Sequence, residues 1–237
     1  MATSNDKLAV LIDADNAQAS TINELLSEVA RYGTATVKRA YGDWTLTHLK
    51  GWKDTLNKFA IQPMQQFSYT TGKNATDASL IIDAMDLVHS GNLDGFCLVS
   101  SDSDFTRLAT RIRESGLTVY GFGEKKTPQP FVAACNKFVY TEILKSAAST
   151  PPQESAADER LKDMIKTAVT ATQKENGWAS LATVGSMLQK NSPSFDARNY
   201  GYQKLGELVR GQPYIEVKDV SVGDGSSNVH IHVRLKW

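Results

Sequence analysis

A chain of 237 residues with 41% hydrophobic and 22% charged side chains has globular composition and room for one large domain, or a medium and a small one. Its 26 Lys+Arg balance 26 Asp+Glu, with 15 basic and 16 acidic residues before position 150, which excludes a basic body that coats nucleic acid by charge alone. Any such contact must come from local patches, with modest and salt-sensitive affinity.

From residue 7 the pattern alternates between short apolar runs and helical periodicity. KLAVLID at 7–13 reads as a strand ending in an acid, and 20–32 follows with Ile22, Leu25, Leu26 and Val29 at helical spacing before Gly33 stops it. TATVKRAY at 34–41 reads as a second strand and 46–59 as a helix. The run 61–67 is a third strand, placed at an edge because Pro63 cannot donate to a ladder. A helix is expected over 75–89, a fourth strand at 95–100, a helix at 104–114, a fifth strand at 117–121 and a last one at 137–140. This alternation predicts an α/β fold with a doubly wound parallel sheet, whose ligands sit outside the carboxyl ends of the strands.

SAASTPPQESAA at 146–157 lacks periodicity and reads as a linker between a domain at 1–145 and one at 158–237. Helices are expected at 159–172, 181–189 and 202–209. Strands at 214–220 and 229–235 follow, joined by a turn at 223–228. Three helices and a hairpin make a small winged helix.

Cys97 and Cys135 have no metal-clip spacing and read as buried free thiols. No run resembles a signal peptide or reaches about 20 apolar residues, so a cytoplasmic protein is expected.

The chemistry concentrates where strands end. The first closes on Asp13-Ala14-Asp15-Asn16, the fourth on Ser100-Ser101-Asp102-Ser103-Asp104, and the third helix opens with Asp77. Asp77, Ile81 and Met85 share a helix face, which aims Asp77 above the sheet; Asp83 and Asp86 lie on other faces and are expected to be solvated or cap-related. Each acid alone has the ordinary explanation of a helix cap. Together, Asp13, Asp77, Asp102 and Asp104 would repel one another in one crevice unless a hard cation such as Mg²⁺ or Mn²⁺ neutralised them. His48, His89, His230 and His232 have no zinc-ligand spacing. There is no glycine-rich phosphate cradle and no Ser-His-Asp or Cys-His set.

VLIDADNA at 10–17, GKNATDASLIIDAMDL at 72–87 and LVSSDSDFTRLATRIRESGLTVYGFG at 98–123 resemble the NYN family, PIN-like nucleases that include the LabA-like proteins. The resemblance implies a PIN-like fold and an Mg²⁺- or Mn²⁺-dependent ribonuclease. By motif it assigns Asp13, Asp77 and Asp102 to the metal or its waters and Asp104 to a supporting or second-metal role. Asn16 would orient the metal water or touch a phosphate, or else cap a helix. Many relatives carry Lys-Gly where this chain has Lys73-Asn74, so Lys73 either reaches a phosphate or is simply solvated.

The tail is similar to the OST-HTH or LOTUS domain through NGWASLATVGSMLQK at 176–190 and FDARNYGYQKLGELV at 195–209. That resemblance implies RNA binding, with a partner-protein surface as the alternative. Trp178, Tyr200, Tyr202 and Lys204 are candidates for stacking and phosphate contacts, although core packing is the favoured expectation for Trp178 and Tyr202. Arg198, Lys190 and Lys204 are candidates for exposed contacts.

Two other functions fit parts of the pattern. A haloacid-dehalogenase-like phosphatase would use Asp13 as nucleophile and Asp15 as acid/base, but Ala17 stands where that family has Thr or Val. An RNA-binding adaptor would keep the acids without turnover.

Overall fold

The structure, a computed structural model, describes residues 5–67, 75–145, 156–221 and 229–236. The chain divides into two compact units, Met1–Ala147 and Ala148–Trp237.

The first unit holds six parallel strands: β1 (Lys7–Asp13), β2 (Thr34–Gly42), β3 (Gln62–Gln65), β4 (Gly95–Val99), β5 (Thr118–Gly123) and β6 (Lys137–Tyr140). Their order across the sheet is β3-β2-β1-β4-β5-β6, so the direction of winding reverses between β1 and β4. β1 and β4 are apolar on both faces and nearly fully buried, as strands covered by helices on both sides must be. Pro63 does lie on an edge strand, where its missing N–H leaves no ladder bond unmade.

The connecting helices are α1 (Ile22–Val29), α2 (Trp52–Phe59), α3 (Ala75–His89), α4 (Thr106–Glu114), α5 (Gln129–Ala134) and α6 (Thr141–Lys145). Alternate strand residues sort into two cores. Ala9, Leu11, Phe96 and Leu98 pack under α3, α4 and α5 with Leu80, Ala84, Leu108, Ile112 and Phe131. Leu8, Val10, Ile12, Cys97 and Val99 face α1, α2 and α6 with Ile22, Leu25, Trp52 and Leu56. Each such fully buried aliphatic or aromatic side chain contributes on the order of 1.5–3 kcal/mol. Cys97 and Cys135 are buried free thiols, both pushed up by burial, Cys135 to about 12.

The predicted helices at 20–32 and 46–59 are each shorter than expected. Ala19–Thr21 and Thr47–Leu49 are single 3-10 turns, and Gly51 separates the second from α2. α5 and α6 carry no sequence signal, since six and five residues are too few to show a helical period.

In the second unit, α7 (Ala156–Thr172), α8 (Leu181–Asn191) and α9 (Leu205–Arg210) pack on a three-stranded antiparallel sheet of order β7-β9-β8, with β7 (Ala179–Ser180), β8 (Ile215–Ser221) and β9 (Val229–Leu235). Ala156 and Ala157, expected in the linker, belong to α7; 146–155 and the predicted turn at 223–228 lie outside the described residues. Tyr202–Lys204 precede α9 rather than opening it, and Tyr202 closes over Gly211, where an added Cβ would lie 2.6 Å from its hydroxyl.

No helix among the described residues is long and apolar enough to cross a membrane.

Candidate functional site

The reversal between β1 and β4 leaves a crevice at their carboxyl ends, and the acids of three chain segments enter it. Asp13 is the last residue of β1 and has the parity of Ala9 and Leu11, so its side chain emerges on the α3 side of the sheet. Asp102 and Asp104 follow β4 in the turn that leads into α4. Asp77 lies in the first turn of α3, beside the buried stripe Thr76, Leu80 and Ala84 and in line with the half-buried Ile81 and Met85. Asp77, Asp102 and Asp104 each place a carboxylate oxygen within 4.8 Å of the others.

Asp13 does not join that trio. It is 1% exposed, and its Oδ2 accepts from Ser100 Oγ at 2.7 Å and Asn16 Nδ2 at 2.8 Å, while Oδ1 accepts from the Asn16 backbone N–H at 3.3 Å. The grouping thus differs from the expected set of Asp13, Asp77 and Asp102. Asp104 stands beside Asp77 and Asp102, and Asp13 lies within charge range of Asp77, buried and hydrogen-bonded. Ser100, which the sequence analysis left without a role, holds Asp13 and also accepts from the Asp102 backbone N–H at 3.0 Å. Its signal was available: a hydroxyl at the strand end with the parity of Phe96 and Leu98 must face Asp13 across the β1–β4 pair. At the end of β5, Gly123 leaves room for this backbone, since a Cβ there would lie 2.6 Å from the Ser100 carbonyl oxygen.

Of these acids Asp102 does act as a cap, its Oδ1 accepting from the Asp104 backbone N–H at 2.9 Å. Asn16 caps no helix among the described residues, its amide being engaged by Asp13. Asp15 accepts from or donates to nothing in the trio and meets His48 Nε2 at 3.1 Å.

Two of these acids hold their protons more tightly than a free carboxyl does. Burial, followed by the charges of Asp13, Asp102, Asp104 and Asp15, pushes Asp77 up to about 6. Burial raises Asp13 above the usual carboxylate range, against the Ser100 and Asn16 hydrogen bonds that favour its anion. Three carboxylates with oxygens this close together are a donor set suited to a hard divalent cation, and neither thiol nor imidazole belongs to the group.

Asp83 corrects the expectation of a solvated or capping acid. From the far flank of α3 it accepts from the Tyr41 hydroxyl and pairs with Arg39, both on β2. The buried Tyr41 hydroxyl is held strongly in its protonated form by burial and by Asp83. This clamp ties the helix that carries Asp77 to the sheet. Sequence periodicity could not find it, because helical spacing identifies which face a residue occupies, not what a neighbouring strand offers there. Asp86 is exposed, as expected.

Lys73 lies outside the described residues. In the second unit, Arg198 corrects the expectation of an exposed contact: it forms a two-pronged pair with Asp196 at 2.9 and 2.7 Å, with 19% of its side chain exposed. Lys190 and Lys204 are exposed. Tyr200 and Tyr202 pack against the core of their unit, whereas Trp178 lies outside that core, under Arg234 and Lys218.

With this geometry established, comparisons with known proteins give the following matches. The NYN domain matches residues 7–144 and the OST-HTH/LOTUS domain matches 155–226. A crystal structure of a protein of unknown function from Vibrio parahaemolyticus is similar at 19% identity and a TM-score of 0.49, covering 59% of this chain and 96% of that chain. A solution structure of an uncharacterized Nitrosomonas europaea protein is similar at 28% identity and a TM-score of 0.31, covering 39% of this chain and 84% of that one. A Chromobacterium violaceum protein segment is similar at 36% identity and a TM-score of 0.27, covering 36% and 87%. No curated protein matches the chain.

Proposed function

The chain belongs to the NYN-domain family, part of a nuclease superfamily, and from that premise we propose that it is a ribonuclease that uses Mg²⁺ or Mn²⁺ to hydrolyse RNA phosphodiesters. The observation that carries this reading is the meeting of Asp77, Asp102 and Asp104 within 4.8 Å, at the strand-order reversal where such sheets bind ligands. PIN-like domains generally use divalent metals, and an OST-HTH/LOTUS domain in the same chain is RNA-associated.

Asp77, Asp102 and Asp104 would hold the cation. Asp13 adds negative charge that acts on Asp77, and Ser100 fixes it relative to the Asp102 backbone. When bound, the cation lowers the pKa of a water and stabilises charge on the attacked phosphate and the leaving oxygen. A carboxylate of the group accepts the proton of the attacking water, the phosphorus–oxygen bond to the sugar breaks, and the departing oxygen is protonated from solvent. Asn16 keeps the Asp13 carboxylate in place, and Lys73 and Lys204 contribute phosphate contacts. Asp13 at 1% exposure is poorly placed for the in-line attack a covalent phosphatase would require of it.

The test is cleavage of a broad panel of RNAs with Mg²⁺ or Mn²⁺, comparing the natural chain with Asp102→Asn. Asparagine keeps a capping oxygen for the Asp104 N–H, so the fold should persist while cleavage falls by on the order of 10²-fold or more. A panel left uncut by the natural chain would favour an RNA-binding adaptor, and full activity of Asp102→Asn would remove the site.

A further inference from the structure

The two faces of the small sheet in the second unit are chemically unlike. Strand residues alternate between faces, and Ile215, Val217, Ile231, Val233 and Leu235 pack on the core of that unit. Their neighbours point the other way, and the register pairs them across the strands: Glu216 with Arg234, Lys218 with His232 and Val220 with His230. Ser180 of β7 lies beside His232 on its other side, and Trp178 precedes it by two residues.

The groups on this outer face form a layered array. The Arg234 guanidinium sits 4.8 Å above the Trp178 ring, and Lys218 Nζ is 6.0 Å from the same ring. Glu216 holds Arg234 in place at 2.7 Å and is thereby spent on it. Lys218 and His230 are exposed. His232 Nδ1, shut off from solvent, has no hydrogen-bond partner among the described residues. Along β9, His230, His232 and Arg234 follow one another at about 6.6 Å, the repeat of one strand face.

A tryptophan left out of the core, carrying a planar guanidinium beside an ammonium, with imidazoles further along the same strand face, is a platform for flat rings joined by anions. It is a poor protein-docking surface, since apolar side chains are confined to Trp178 and Val220 where a protein interface would have an apolar centre. We propose that this outer face binds single-stranded RNA, with a base stacked on the Trp178–Arg234 pair and phosphates at the exposed Lys218 and His230. The proposal rests on the RNA-directed reading of the chain and assigns its second unit the task of holding substrate strand.

The experiment uses the full chain in EDTA, which suppresses cleavage, with a fluorescein-labelled unstructured 12-nucleotide RNA and anisotropy titrations at several salt concentrations. Lys218→Glu, an exposed position where folding is not at risk, should raise Kd at least about tenfold and lower the salt slope by about one. Trp178→Leu should raise Kd with the slope unchanged, because it removes stacking and not charge. Lys162→Glu, on α7 over the Tyr214 ring, should bind as the natural chain does. Wild-type affinity in Lys218→Glu and Trp178→Leu would overturn the proposal while leaving the nuclease reading intact, if Mn²⁺ still supports cleavage. Unchanged RNA affinity together with loss of a defined protein partner would assign the face to protein contact and overturn it too. A natural chain that neither binds nor cuts RNA would bring down both readings.

Discussion

Replacing Asp77 by asparagine should make the metal-free protein more stable at neutral pH, the opposite of what removing a structural residue does. Asp77 has its carboxyl raised from the ordinary 3.8 to about 6, first by burial and then by the surrounding aspartates. Each tenfold in proton affinity corresponds to about 1.36 kcal/mol, so the gap amounts to about 3 kcal/mol before solvent screening. The side chain is only half-buried, and discounting for that leaves about 1–2 kcal/mol. The sign follows from proton binding: between 3.8 and about 6 the folded state binds the proton more tightly than the unfolded chain, so stability falls as pH rises through that window. Below it both forms are neutral and the substitution should change little; above it the full penalty burdens the natural chain alone. Scanning calorimetry of the first unit at pH 8 in EDTA should therefore show Asp77→Asn melting roughly 2–8 °C higher, and the difference should vanish near pH 3.5. Saturating Mn²⁺ should reverse the order, because a ligand at one hundred times its Kd adds about 2.7 kcal/mol to a protein that retains its site. A variant that is less stable at pH 8 in EDTA, or that gains as much from Mn²⁺ as the natural chain, would refute the electrostatic reasoning.

Tyr41→Phe removes one hydrogen bond to the Asp83 carboxylate and should cost about 1.5–3 kcal/mol, read as a lower urea midpoint; an unchanged midpoint would mean that the clamp on α3 contributes nothing. Ending the chain after residue 147 should raise KM for RNA or alter substrate choice more than it lowers kcat, and a loss confined to kcat would contradict the division of labour between the units.

The parallel sheet was legible because β1 and β4 are apolar on both faces and because acids or glycines close β1, β2 and β5. Helix α3 could be placed residue for residue, since its fifteen residues show the period several times over. α5, α6 and β7 are held by tertiary packing rather than by local pattern, and Phe131 and Val132 of α5 are core residues in a segment too short to announce itself. The candidate site was legible as a list of acids at strand ends, but not as a grouping. Which carboxylates face one another depends on side-chain direction, and Ser100 and Asn16 draw Asp13 into the protein while the turn after β4 brings Asp104 forward. Arg198 was misjudged for a related reason: its partner Asp196 is two residues away, where the 3-10 turn Ala197–Tyr200 folds both side chains together.

The most direct test is a crystal soaked in MnCl₂ and read for anomalous scattering. The account predicts a peak within about 2.0–2.3 Å of carboxylate oxygens from Asp77, Asp102 and Asp104, lost in a crystal of Asp102→Asn. Ordered aspartates with no peak between them, or a peak bound only at other residues, would contradict it.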